Sequence, residues 1–217
     1  MIQAPDLSGL DWLEHGFGLR DSPLPEGIRT LRQIHSGLVF DAATADETCQ
    51  GDALVSSQPG VRIGIRTADC VPILLADPAT RRVAAIHAGW RGSAANIAGA
   101  TVRKMTDRPE GLRAAIGPSI GVCCYQVRPD VARQFGAWVP KLTTVHDPVH
   151  LDLPAINEKQ LRELGVTDIW KSGECTFCRG ERFFSFRRER EQAGRMVSWI
   201  GIANESRPHE AMARRTA

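Results

Sequence analysis

Cys70 and His87 stand out for what surrounds them. Cys70 closes Thr67-Ala68-Asp69-Cys70 and leads directly into an apolar run, and His87 opens His87-Ala88-Gly89-Trp90-Arg91-Gly92. A thiol and an imidazole can act as transition-metal ligands or as a nucleophile with its base. His35, in Arg32-Gln33-Ile34-His35-Ser36-Gly37, is a third candidate. Two imidazoles and one thiolate would give zinc three protein ligands and leave a fourth position for water, whose pKa zinc lowers to about 7. The intervals between the three residues are long, unlike the CxxC or HxxxH spacings that identify a zinc site unaided. Taken singly, a free Cys is more often an inert buried thiol, and His87 a hydrogen-bonded structural histidine. Spacing alone therefore leaves metal ligation, metal-free nucleophilic chemistry and simple packing open.

The residues beside these three also admit two readings each. Asp69 could orient or shuttle protons for Cys70, or simply accept backbone hydrogen bonds at a strand end. Asp52, in Gly51-Asp52-Ala53, reads chiefly as turn chemistry. Gln33 falls two residues before His35, so an extended strand would turn both to one side, and it either meets substrate or packs. Arg91 lies in a glycine turn before a helix, where free N–H groups favour an anion; the alternative is a solvated Arg paired with a carboxylate. Arg187 and Arg188 follow Phe183-Phe184-Ser185-Phe186. If that stretch is a strand, one of them points inward as a phosphate or carboxylate ligand. Cys123-Cys124 and Cys175-x-x-Cys178 could form a second, structural zinc site. A strand would send the vicinal pair to opposite faces, which argues against it. Cys49 reads as incidental.

The elements that must position these residues alternate strand and helix. Val61–Arg66 alternates with period two, and Val71–Ala76 is a continuous apolar run suited to a strand covered on both faces. Val83–His87 is the next strand. A helix is expected from about Ser93, as N-cap, to Met105, followed by the strand Arg113–Ile116. That order suggests a right-handed βαβ unit with a parallel pair. Further on, strands are expected at Cys123–Val127, Val166–Lys171, Arg182–Phe186 and Met196–Ile202. Helices are expected from Pro129, and from Asp152-Leu153-Pro154 to just before Gly165. About seven to ten strands and three to four helices describe one α/β or α+β domain over 1–217, with a core over about 15–202. The polar tail 205–217 is expected to fray.

Composition excludes several classes. The 27 basic and 25 acidic residues nearly cancel, to a net charge of +2, so no nucleic-acid footprint is expected. The run Arg179–Arg195 mixes six Arg with three Glu, as a solvated surface would. No apolar run is long enough for a membrane span. The start, MIQAPDLSGLDWLEHGF, lacks the basic and apolar regions of a signal peptide. Six cysteines without an export signal suggest the reducing cytoplasm, with thiols rather than disulfides. Arg outnumbers Lys 23 to 4, which either reflects genome composition or serves bidentate anion contacts.

Four blocks carry a resemblance: TADCVPILLADP, VAAIHAGWRG, IGPSIGVCCYQV, and CTFCRGERFFSFRRE with Gly194-Arg195 after it. From about His15 to Ile202 the chain resembles the YfiH family. That family was once described as laccase-like polyphenol oxidases, then as zinc-dependent purine nucleoside phosphorylases, and also as peptidoglycan editing factors. The resemblance implies layered mixed β-sheets flanked by helices, similar to the catalytic fold of the cytotoxic necrotizing factor. It implies zinc held by His35, Cys70 and His87; these three are the catalytic candidates, with Asp69 added for its place beside Cys70. Phosphorolysis of adenosine, inosine, guanosine and S-methyl-5'-thioadenosine follows, with adenosine deamination, and with no obligate protein partner. Other readings are an amidase on a muramyl-amino-acid precursor, a metal-free Cys70 hydrolase with His87 as base, or a non-enzymatic zinc protein. The last is disfavoured because no fourth ligand is evident. A copper laccase fits least, since six His spread along the chain are too few. The family's HGFSTR block reads His15-Gly16-Phe17-Gly18-Leu19-Arg20 here, and the stretch from His15 to His35 is compressed.

Overall fold

The apolar run from Val71 to Asp77 is fully buried because both of its faces are covered. Ile73 and Leu75 point into one core, with Ile97, Val102, Met105 and Leu161 of the helices. Leu74 and Ala76 point into the other, with Ile63, Ile65 and Ile200 of a second sheet. This is the period-two alternation of a strand between two apolar layers.

The computed structural model describes residues 1–204; the expected frayed tail, 205–217, lies outside the described residues. Among them are strands β1 (Leu13–Phe17), β2 (Ile28–Arg29), β3 (Val39–Asp41), β4 (Ala53–Ser56), β5 (Arg62–Thr67), β6 (Val71–Asp77), β7 (Arg82–Ala88), β8 (Arg113–Ile116), β9 (Gln126–Val127), β10 (Val149–His150), β11 (Asp168–Lys171) and β12 (Met196–Ile202). The α-helical segments are α1 (Pro5–Ser8), α2 (Trp90–Ala94), α3 (Ile97–Met105), α4 (Pro129–Ala132), α5 (Leu153–Glu163) and α6 (Phe186–Glu189). A six-stranded mixed sheet runs β11-β8-β6-β7-β4-β3, a four-stranded mixed sheet runs β1-β12-β5-β2, and β9 pairs with β10. The result is one α/β domain of three layers, four-stranded sheet, six-stranded sheet and helices.

Several sequence expectations are corrected. The helix expected over Ser93–Met105 is two helices. Asn96 sits between them at φ 54 and its side chain accepts from Gly99 N, so Asn96 is the cap of α3. Ser93 is buried inside α2, where its hydroxyl receives Asn157 Nδ2 at 2.9 Å and its carbonyl receives Gln160 Nε2 at 2.8 Å. The strands flanking these helices are not paired. β6 lies between β7 and β8, antiparallel to both. Cys123 and Cys124 lie in a turn, with the Cys124 and Tyr125 N–H groups both donating to Gly121 O, and only Gln126–Val127 is strand. Arg182–Phe186 is not a strand either: Ser185 caps the short helix α6, accepting from Arg188 N. In contrast α5 begins and ends as expected, with Asp152 accepting from Ala155 N and Gly165 at φ 97 beyond its end. No helix among the described residues is long and apolar enough to cross a membrane.

Candidate metal centre and its pocket

Three neighbouring strands deliver the site. In the β6–β7 ladder Val71 is opposite Ala88 and Pro72 opposite His87, so Cys70, just before β6, arrives beside His87–Gly89. In the β4–β7 ladder Ala53 is opposite Ile86, so Asp52, just before β4, arrives beside His87 from the other side. The Asp52 carbonyl extends that ladder by accepting His87 N–H at 2.7 Å. Antiparallel pairing thus places the start of two strands against the end of the third.

Asp52, fully buried, organises the cluster. Its Oδ1 lies 2.7 Å from His87 Nδ1 and accepts the His35 N–H at 3.0 Å. Its Oδ2 accepts the Ser36 N–H at 2.6 Å and the Ser36 hydroxyl at 2.7 Å. One carboxylate therefore sets the His87 ring and folds the His35 loop, where His35 holds φ 60. The backbone expected to be a strand is a bent loop. With Nδ1 on Asp52, the other ring nitrogen of His87 is free for a ligand, the carboxylate–histidine arrangement seen behind metal sites. The ligand atoms of His35, Cys70 and His87 all lie within 4.8 Å of one another. A Cβ on Gly89 would come within 2.9 Å of His35 Cδ2 and 3.1 Å of Cys70 Sγ, so only glycine leaves the cluster its space.

The electrostatics match a ligand set. Burial would raise the Cys70 thiol, but the His87 charge and the His35 hydrogen bond outweigh it and bring its pKa to about 6. Burial would lower His87, but the Cys70 thiolate and Asp52 outweigh it and raise the imidazole to about 9. Asp52 is also pushed up by burial and pulled down more strongly by His87 and Ser36, to about 2. A thiolate is thus available at neutral pH. Two imidazoles and a thiolate, oriented by a buried carboxylate, fit one metal ion with an open position. They do not fit several copper ions. Among the described residues these are the only His in a metal-capable cluster, and His15 is buried elsewhere, accepting Ala4 N–H.

The three residues border a pocket of about 720 Å3. Asp69, Gln33, Arg91 and Arg187 line it as well; Arg188 does not. Asp69, at φ 88, uses both carboxylate oxygens as braces, Oδ1 accepting the Thr176 hydroxyl and Oδ2 the Arg187 N–H. Gln33 pairs with the backbone of β5, donating to Arg66 O and accepting Arg66 N–H. Arg91 stacks on Trp90, 4.3 Å from guanidinium carbon to ring centroid, and pairs with no carboxylate among the described residues. The Arg187 guanidinium donates to Gln126 O and lies over Tyr125. Arg188 is spent on the carbonyls of Thr176, Phe177 and Phe183 and on Glu189, so it holds the loop together. The inward and outward alternation expected of the two arginines is replaced by a helical turn. Sequence reading missed Arg32, Arg66, Arg190 and Arg195, which also line the pocket, and the aromatic rings of Trp90, Tyr125 and Phe186. The arginine excess over lysine was the available signal.

Comparison with known proteins agrees with this geometry. Residues 19–203 match the family described as multi-copper polyphenol oxidoreductase laccase. A Deinococcus radiodurans protein named purine nucleoside phosphorylase is 42% identical over 180 residues, covering 79% of this chain and 69% of the relative. The Escherichia coli protein named purine nucleoside phosphorylase YfiH is 37% identical over 184 residues, covering 82% and 75%. Among solved structures, YlmD from Geobacillus stearothermophilus is similar with a TM-score of 0.76 and 33% identity, covering 82% of this chain and 74% of that one. Bacillus licheniformis YfiH is similar with a TM-score of 0.75 and 31% identity, covering 81% and 74%. In fold, in sequence over most of its length and in the motifs around Cys70 and His87, the chain belongs to the YfiH family.

Proposed function

We propose that the protein is a zinc-dependent purine nucleoside phosphorylase, with His35, Cys70 and His87 as the metal ligands. One observation carries the reading: six arginines, Arg32, Arg66, Arg91, Arg187, Arg190 and Arg195, share one pocket with the imidazole–thiolate triad. The one carboxylate lining that pocket, Asp69, already has both oxygens engaged. Such a pocket suits a multiply charged anion beside a metal site. The relatives named purine nucleoside phosphorylase support the same substrates, a purine nucleoside and phosphate.

Phosphorolysis joins a phosphate oxygen to the anomeric carbon of the ribose and breaks the bond to the purine nitrogen, whose electron pair leaves with the base. Guanidinium groups hold the phosphate; Arg91 is the best placed, stacked on Trp90, four residues from His87 and with no carboxylate partner among the described residues. Trp90, Tyr125 and Phe186 offer faces for the purine. Asp69 acts on the pocket by holding the Thr176 hydroxyl and the Arg187 backbone N–H in place. Asp52 keeps His87 and the His35 loop oriented. Zinc, when bound, would supply Lewis-acid polarisation of a substrate atom. Adenosine, inosine, guanosine and S-methyl-5'-thioadenosine are the substrates of this reading, with adenosine deamination as a side activity. A cytoplasmic setting suits it, because all six cysteines are free and Cys70 must stay reduced.

A second reading has a specific observation in its favour. The Cys70 thiol, with a pKa near 6 beside His87, is also an activated nucleophile. The deciding assay incubates each nucleoside with and without phosphate, in chelated protein and after zinc is returned. The expected result is base release that requires both phosphate and zinc. Full turnover in metal-free protein with a covalent adduct on Cys70 would overturn the metal reading. Turnover of a muramyl-amino-acid substrate alone would replace phosphorolysis by the amidase reaction.

A further inference from the structure

The four cysteines outside the pocket form a second constellation. Cys123 and Cys124, from the turn after β8, meet Cys175 and Cys178, from the loop after β11, and all four sulfurs lie within 4.8 Å of one another. Cys178 Sγ is 3.7 Å from Cys123 Sγ and 3.4 Å from Cys124 Sγ. Four thiolates around zinc at about 2.3 Å place neighbouring sulfurs about 3.8 Å apart, whereas a disulfide requires about 2.05 Å. The sulfur spacing is that of a tetrathiolate site.

The backbone explains how vicinal cysteines come to share one centre. Cys124 and Tyr125 both bond back to Gly121 O, so Cys123 and Cys124 stand on a helical turn. Successive side chains there diverge by about 100° instead of the 180° of a strand. The two segments are then zipped together. Ser119 and Cys175 form a parallel bridge, Thr176 N–H donates to Ser119 O at 3.0 Å, and Gly121 N–H donates to Cys175 Sγ at 3.2 Å. A Cβ on Gly121 would stand 3.3 Å from both Cys123 Sγ and Cys175 Cβ, so glycine permits the close approach. Backbone N–H groups directed at thiolate sulfur orient ligands in such sites.

We propose that Cys123, Cys124, Cys175 and Cys178 bind a structural zinc ion, distinct in residues and in role from the His35–Cys70–His87 centre. The four protein ligands close its coordination, so it takes no substrate. Its place in the fold gives it a task. Ile120 and Tyr125, on the first segment, and Arg187, just beyond the second, line the arginine-rich pocket. Clamping the two segments fixes that wall. Binding deprotonates the thiols and releases their protons to solvent, with no change of oxidation state.

The test uses the full chain, purified reduced, with the Cys70→Ala, His87→Ala double substitution to remove the first centre, and zinc alone as the probe. This protein should retain about one zinc per chain, withhold its four clustered thiols from a thiol reagent, and melt at lower temperature after chelation. Loaded with cobalt(II), it should show thiolate-to-metal charge transfer and the intense visible bands of a tetrahedral site. Adding Cys178→Ser should abolish both signals while circular dichroism reports an intact fold. Should that variant unfold, thiol protection and cobalt spectra of the parent double variant still decide. No metal uptake with all four thiols reactive overturns the proposal, as does a disulfide among them in the reduced protein.

Discussion

The Asp52 carboxylate binds His87 Nδ1 at 2.7 Å and, through its second oxygen, holds the backbone of Ser36, so that one buried anion positions both histidines. Asp52 comes from the residue before β4, His87 from the end of β7, and His35 from a loop with no strand geometry. Strand pairing brings Asp52 beside His87, and the carboxylate then ties the His87 ring to the His35 loop.

Replacing Asp52 by Asn keeps the shape and removes the charge. The carboxylate meets the Ile34, His35 and Ser36 N–H groups, the Ser36 hydroxyl and His87 Nδ1. An amide nitrogen in place of either oxygen cannot accept, so the backbone N–H contacts at that atom are lost. Zinc affinity should fall about 10–100-fold, measured by competition with a chelator of known affinity, and the fold should lose about 1–3 kcal/mol. Unchanged affinity would show that His87 is oriented by its neighbours alone.

Gly89→Ala isolates the space requirement of the cluster. The backbone there, φ −70 and ψ 169, is open to alanine, so strain is not at issue. The added methyl would stand 2.9 Å from His35 Cδ2 and 3.1 Å from Cys70 Sγ. Metal affinity should drop by roughly tenfold or more, the scale on which disturbed ligand orientation acts, with the melting temperature of the metal-free protein little changed. Retention of full zinc binding would mean that the His35 loop yields.

Arg91 and Arg188 should separate substrate binding from architecture. Arg91→Ala removes a guanidinium stacked on Trp90, so phosphate-dependent turnover should fall roughly ten- to over a hundred-fold, corresponding to about 1.5–3 kcal/mol. Adenosine deamination, which needs no phosphate, should fall much less, and Arg91→Lys should not restore the loss. Arg188→Ala leaves the carbonyls of Thr176, Phe177 and Phe183 without their donor and should instead lower stability by about 1–3 kcal/mol. Equal losses in both reactions for Arg91→Ala would assign it to the nucleoside or the fold.

His15 predicts how stability responds to pH. Burial pushes its pKa down from 6.5 to about 4. The unfolded chain therefore binds the proton more readily, and its contribution to stability is complete above about pH 6.5 and lost progressively as pH falls toward 4. The loss approaches about 3 kcal/mol at the low end. Urea unfolding at pH 7.5 and pH 5 should show a drop for the native protein that a His15→Gln variant lacks. Identical drops in both would place the pH sensitivity elsewhere.

Patterns with local causes were legible in the sequence. The apolar run of β6, the alternation of β5 and the Asp152 and Gly165 ends of α5 each follow from a few neighbouring residues, and each is where it was expected. The motifs around Cys70 and His87 were legible through family resemblance. Tertiary structure decided what depends on register between distant segments. Asp52 acquired its role because β4 pairs with β7 so that its carboxylate faces His87. The six pocket arginines come from four stretches of chain, three of them from residues 187–195, and no spacing along the sequence reveals that Arg32, Arg66 and Arg91 converge on that segment. The four cysteines met because Gly121–Tyr125 closes a turn where a strand was expected, and a turn brings adjacent side chains to one side whereas a strand parts them. A local pattern records a residue's own backbone preference; which partner it meets across fifty residues is set by sheet pairing and packing, which act only once the whole chain has folded.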